Sequence, residues 1–331
     1  MKKKLMVFFM LITLMLTTAV GCGKTAATGT KVTLNEVAHS VFYVPMYVAI
    51  ENGYFAEEGL DVTLVTGFGA DKTMTALLSG EADIGFMGPE STIYTYQGGM
   101  EDYAVNFAQL TQRAGNFLVS RDPVKDFSWD MLRGAEVLGG RSGGMPEMVF
   151  EYILIKNGID PVTEVKIDQS IDFGSTAAAF SGGQGQFTVE FEPHATALEQ
   201  SGQGYVVASL GEDSGYVPYT SFSAKKSFLE EKPEIVQAFT DALQRGMDYV
   251  QEHSAEEIAK AIADQFPETD LITLTTIVDR YQSQDTWKAD LIFEEKSFDL
   301  LQNILETFGV IEKKVPYEDL VNTDFAKEAA K

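Results

Sequence analysis

Residues 39–62, HSVFYVPMYVAIENGYFAEEGLDV, decide how this chain folds. They follow a strand-like run at 31–37, KVTLNEV. Pro45 stands where a first helical turn begins, because proline fixes φ and has no N–H to leave unpaired. Met46, Ala49 and Ile50 put apolar groups on one helical stripe, and Gly53 supplies a left-handed stop. Tyr54 and Phe55 pack the return, Glu57-Glu58-Gly59 turns the chain, and 60–65, LDVTLV, reads as the next strand. Strand, loop, helix, strand is the unit of a parallel α/β sheet. The loop carries Phe42 and Tyr43 and falls at the carboxyl edge, where such sheets bind ligands. Phe42, Tyr43 and Met46 are the first candidate ligand contacts.

The wording of this stretch, an aromatic loop followed by P-x-Y-V-A, G-Y-F and E-G-L-D-V, continues into GFGADKTMTALLSG at 67–80 and GEADIGFMGPES at 80–91. Together these resemble the substrate-binding proteins of ABC importers. Within them they are similar to the alkanesulfonate, taurine and thiamine-pyrimidine-precursor (NMT-like) group, from about residue 31 to about residue 308. The resemblance implies a two-lobed periplasmic-binding-protein fold of type II. Each lobe is expected to be a mixed, mainly parallel sheet flanked by helices, with the ligand cleft between them. It places lobe one at 32–117 and 222–331 and lobe two at 118–221. In that family G-x-x-D-I/V-G leads into a binding loop at a helix start, which points here to Gly88, Pro89 and Glu90. Glycine permits close backbone approach and proline suits a first turn, so free N–H groups face the loop; an ordinary strand–helix turn with Glu90 favouring the dipole is the alternative.

The N-terminus is of another kind. Lys2-Lys3-Lys4 precede an apolar run at 5–16, too short for a spanning helix, and small residues lead to Cys22. This reads as a signal peptide at 1–21. Small residues immediately before a cysteine resemble a bacterial lipobox, which implies cleavage before Cys22 and a lipid on its sulfur. Residues 22–31 then form the lipidated cysteine and a small, polar tether. Cys22 is the sole cysteine, so an intrachain disulfide and a multi-cysteine metal site are excluded. Without the three signal lysines, 22 basic residues face 49 acidic ones, a net charge of −27. So acidic a body does not bind nucleic acid through its phosphates. It argues little against an anionic ligand, because cleft donors outweigh screened surface charge.

The remaining candidates lie where strands end. The strand at 103–110 carries Gln109, and Arg113 follows at the crossing to the second lobe, as cleft donor or as hinge residue. After a strand at 135–138 comes the turn Gly139-Gly140-Arg141-Ser142-Gly143-Gly144 and a helix at 145–156. The turn is neither a Walker loop nor a dinucleotide fingerprint. It offers backbone donors at a helix start and one cation, so Arg141, Gly143 and Gly144 are candidates. The strand at 186–191 sets Phe187, Val189 and Phe191 on one face and Glu190 on the other. A carboxylate on a covered strand needs partners, within the protein or on a ligand. The alkanesulfonate relatives carry a Trp-Asp-Pro type sequence here, whereas this chain has Phe191-Glu192-Pro193; Glu192 reads as a helix cap or as a ligand contact. Segment 217–222 reads as the return crossing, with Tyr219 near the cleft, and Trp287 as a packing residue among the amphipathic C-terminal helices.

No acid–base or nucleophile signature appears, and His39, His194 and His253 lack metal-ligand spacing. No catalytic residue, cofactor or metal is expected. The resemblance implies an extracytoplasmic, lipid-anchored monomer whose partners are a small organic solute, the ABC permease and, through Cys22, the membrane. Same-fold enzymes of thiamine-pyrimidine or menaquinone synthesis are the other class. The former carry a cysteine-rich motif that one cysteine cannot supply. Phe42, Tyr43 and Tyr219 around a flat ring, with Glu190 accepting from an amino group, suit an aminopyrimidine. Gly88, Arg113, Arg141 and Gly143-Gly144 suit a sulfonate instead.

Overall fold

The structure is a computed structural model and describes residues 29–140, 142–172 and 174–331. The signal segment, Cys22, most of the tether and Arg141 lie outside the described residues. Two five-stranded sheets form the frame. In the first, β1 (Thr30–Glu36), β2 (Leu60–Thr66), β3 (Ile84–Met87), β4 (Ala104–Thr111) and β10 (Thr220–Lys225) run in the order β2-β1-β3-β10-β4. The second comprises β5 (Asn116–Ser120), β6 (Glu136–Leu138), β7 (Lys166–Asp168), β8 (Phe187–Phe191) and β9 (Tyr205–Ser209), ordered β7-β6-β8-β5-β9. The pairs β1–β2, β1–β3, β6–β7 and β6–β8 are parallel. β10 is antiparallel to β3 and β4, and β5 to β8 and β9. Each sheet is thus mainly parallel with one reversed strand in the fourth place, and that strand is the first one after the chain crosses between sheets. The fold is two-lobed.

The opening unit forms as its residues dictate. Pro45 sits in the first turn of helix Val44–Glu51, and Gly53 adopts φ 75° directly after it. The return is tighter than a loop, a single helical turn at Tyr54–Glu57. Helices follow at Ala70–Ser79 and Glu295–Thr307. Short helices at Leu210–Ser214, Tyr317–Leu320 and Asp324–Ala329 have too few turns to show periodicity.

The segment read as a crossing at 217–222 corrects to an end of the crossing followed by strand β10. Serine at its inward positions hid it. Ser221 and Ser223 donate to Asn106 Oδ1 at 2.6 and 3.0 Å, and Asn106 Nδ2 donates to Thr92 Oγ1 and the Leu320 carbonyl. A buried polar knot therefore replaces the apolar alternation that marks most strands.

The two lobes meet on aromatic side chains. The Phe42 ring lies 5.1–5.7 Å from those of Tyr43, Phe191, Tyr219 and Tyr281, and Trp287 Nε1 donates to the Phe42 carbonyl at 2.8 Å. Gly115 lies against the Phe42 ring so closely that a Cβ would overlap it. Such close packing of rings fixes where the loop of residues 41–43 can sit.

Candidate functional site

Carboxyl ends of parallel strands face the gap between the sheets, as do the first residues of the reversed strands. Thus Val37, Gly88, Phe191, Asn116 and Thr220 converge on it. The gap contains two adjoining cavities. The first, with about 480 Å³ of empty space, is walled by Tyr43, Tyr219, Phe191, Met145, Pro146, Gly88 and Glu90. The second, about 600 Å³, is walled by Glu190, Asn116, Thr176, His39, His194 and Phe68. Pro146 and Phe191 border both.

The first cavity is aromatic. Tyr43 is wedged edge-on against Phe86 at 4.6 Å, and the Tyr219 hydroxyl donates to Asn116 Oδ1. Burial, with the charge of Glu90 nearby, holds both tyrosine hydroxyls well above the ordinary tyrosine range, so they stay protonated. Glu90 is buried at the start of helix Glu90–Gln97, and its carboxylate folds back over Gly88 so closely that a Cβ at 88 would overlap it. That glycine leaves room for an acid at the helix start.

The second cavity is polar and has a buried acid in its wall. Glu190 is 4% exposed, and its Oε1 accepts from Thr188 Oγ1 at 2.6 Å, with the Thr176 hydroxyl also bonded to the carboxyl. Burial raises its pKa to about 7 against the lowering by these two hydroxyls. Asn116 is 1% exposed and its Nδ2 has no hydrogen-bond partner among the described residues. His39 is engaged elsewhere: Nδ1 meets Glu36 Oε1 at 2.9 Å and Nε2 the Gln265 carbonyl at 2.8 Å. Burial lowers its pKa, but Glu36 and that carbonyl outweigh it and the net shift is upward. Among the described residues no lysine or arginine lines either cavity.

Of the side chains singled out in the sequence, Tyr43, Gly88, Glu90, Gly144 and Tyr219 come together on the first cavity and Glu190 lies on the second. Phe42 and Met46 are fully buried in the layer behind, and Pro89 sits at the cap of helix Glu90–Gln97 without lining a cavity. Gly143 lines a groove outside, where its carbonyl accepts from Tyr94. Arg113 stacks on Tyr216 at 4.2 Å and donates to the Gly211 carbonyl, bracing the crossing rather than the cavities. Gln109 Nε2 turns back to the Thr111 carbonyl, away from both. Sequence reasoning missed Asn116, Phe191, Thr176 and Phe68. The first two carried a usable signal, being the first and last residues of strands at the cleft edge. Glu192 borders the second cavity and its carboxylate accepts from Thr196 N at 2.9 Å in the first turn of helix His194–Gln200.

A family model described as NMT1/THI5-like matches residues 42–257, a span that holds most of the residues lining both cavities. The chain belongs to the NMT1/THI5-like family. A member of similar sequence is "Putative binding protein YtlA" of Bacillus subtilis (strain 168), 46% identical over 310 residues, 94% of this chain and 93% of that one. Solved structures share the fold at lower identity. The nitrate-binding protein NrtA of Synechocystis PCC 6803 superposes with a TM-score of 0.78 at 16% identity, over 91% of this chain and 88% of that one. The alkanesulfonate-binding protein SsuA of Xanthomonas axonopodis pv. citri, bound to MOPS, gives 0.71 at 14% identity, over 90% and 100%. The relative and both solved structures carry the names of binding proteins, and this NMT1/THI5-like chain shares the fold of the latter two. Among its described residues no His, Cys, Asp or Glu cluster is placed to hold a metal, and no helix is long and apolar enough to cross a membrane.

Proposed function

We propose that this family member captures a small, flat, nitrogen-bearing heterocycle, an aminopyrimidine of the thiamine-precursor kind, and hands it to a membrane permease. Glu190 carries the reading. Among the described residues this carboxylate, 4% exposed, is met by hydroxyls and by no cation or N–H donor of the kind that usually offsets such burial. An amino group or protonated ring nitrogen supplies one. Tyr43, Tyr219 and Phe191 next to it supply the faces and edges on which an aromatic ring packs. A sulfonate would find two buried acids, Glu90 and Glu190, and no described cation in either cavity.

In this reading 32–117 with 222–331 make one lobe and 118–221 the other, and they close on the solute about the two crossings. Cys22 carries the lipid that keeps the monomeric body beside its permease; one acyl chain alone anchors weakly, so diacylation fits the task. Native mass spectrometry of the protein extracted from its host membrane tests both points. An aminopyrimidine-sized adduct supports the ligand class, and a sulfonate adduct overturns it. A protein mass without diacylglycerol on Cys22 overturns the anchor.

A further inference from the structure

Two residues other than glycine have positive φ among the described residues, Phe68 at 56° and Asp285 at 57°. Aspartate tolerates that region, whereas for a bulky side chain it is an outlier. The loop around Phe68 leaves it no escape. Gly67 N–H donates to the Glu36 carbonyl at 2.8 Å and Gly69 N–H to the Val37 carbonyl at 3.0 Å. A Cβ at Gly67 would come within 2.6 Å of both Asn35 Oδ1 and Thr73 Oγ1, so the loop is seated on β1 and the start of helix Ala70–Ser79. The strain falls on Phe68. Yet the residue is 55% exposed, so burial in the first lobe does not explain a phenylalanine there.

Its surroundings do. Phe68 borders the cavity that holds Glu190, and across the cleft stands Gly174 of the second lobe, itself at φ 89°. A Cβ built on Gly174 would sit 3.9 Å from Phe68 Cδ1, the one such neighbour within 4 Å among the described residues outside its own chain neighbours. An aromatic side chain from one lobe is thus held over the mouth of the cavity against bare backbone of the other. We infer that Phe68 is a specificity-determining lid: it covers the open face of a flat ligand whose polar edge meets Glu190, and its strained backbone keeps the ring over the mouth. Strain at a ligand-facing residue persists where it serves binding.

The inference rests on the aminopyrimidine reading for its ligand but not for its strain, and the two separate in one experiment. Ligand-free melting and stopped-flow release of an aminopyrimidine are measured for the full protein, Phe68→Gly and Phe68→Tyr. Glycine accepts positive φ without cost, so Phe68→Gly melts higher, by about 2 °C, in the absence of ligand. It releases the aminopyrimidine at least about tenfold faster, as loss of a stacking face predicts, while Phe68→Tyr keeps the native rate. A lower melting temperature for Phe68→Gly, or an unchanged release rate, overturns the lid. Failure of the unmodified protein to bind the aminopyrimidine overturns the ligand class instead, and the ligand-free melting temperature then tests the lid by itself.

Discussion

Glu190 couples the site to pH, and the sign of the coupling follows from where its proton sits. The folded pKa of about 7 lies above the ordinary 4.5 of an unfolded glutamate, so between these values the folded chain holds a proton that the unfolded chain has lost. Stability from this group is complete below the unfolded value and is lost as pH rises through the folded one, by about 3 kcal/mol at full amplitude. Without ligand, Glu190→Gln should therefore lose less melting temperature than the native protein between about pH 5 and about pH 8. A ligand that donates to the carboxylate binds its ionised form, so native affinity should climb through neutral pH, and the glutamine variant should bind tenfold or more weakly with a flat profile. Calorimetric titration at several pH values decides it, and unchanged affinity would remove Glu190 from the site. At this scale the sequence showed chemistry better than direction. The carboxylate at a strand's end was visible, since a covered strand seldom carries one. The engagement of Arg113 with Tyr216 and Gly211, about a hundred residues on, was not, because nothing local encodes a partner so distant in sequence.

The elements that hold the aromatic loop depend on one close approach. Helix Val44–Glu51 crosses helix Pro233–Glu252 at Gly246, where an added Cβ would overlap the Pro45 carbonyl and lie 3.2 Å from Ala49 Cβ. The atom met is backbone, held by the helix, and it cannot swing aside. Gly246→Ala gains about 1 kcal/mol of helix propensity, yet overpacking at a fixed carbonyl costs about 1–3 kcal/mol. The expected result is a net loss in urea unfolding, together with weaker ligand binding, because Pro45 and Tyr43 shift as one piece. A gain in stability would show that the helices separate freely there. Patterns of apolar residues revealed these helices, and proline and glycine their ends. They did not reveal β10, whose inward serines satisfy Asn106 instead of filling the core. Periodicity reads apolar burial, and a strand stabilised by a polar knot leaves that signal weak.

At the scale of the whole molecule, one buried acid beside the second sheet pairs with an arginine from the C-terminal helices. Glu192, directly after β8 of the second sheet, has a fully buried side chain, and its Oε1 meets Arg280 Nη1 at 2.6 Å. Arg280 lies on helix Leu271–Ser283, in the C-terminal part that packs on the first lobe, and Ser40 of that lobe donates to the Glu192 carbonyl at 2.7 Å. Burial raises the pKa of Glu192, opposed by the Arg280 charge and by the Thr196 hydrogen bonds. Arg280→Gln removes the nearest cation and leaves the acid with Thr196 alone. The cost of stranding a buried charge in this way is roughly 3 kcal/mol. Two responses relieve it, protonation and rehydration, and rehydration requires the lobes to part. The variant should therefore show a larger radius of gyration by X-ray scattering than the native protein without ligand. The difference should shrink at low pH, where a protonated Glu192 has less need of water, and ligand affinity should fall because part of its binding free energy goes into closing the lobes. A lower melting temperature with an unchanged radius would make the pair a brace on β8 and not a latch between lobes. Double substitution of Glu192 and Arg280 by glutamine then separates the two, since it removes the stranded charge while leaving the interlobe contact without its ion pair.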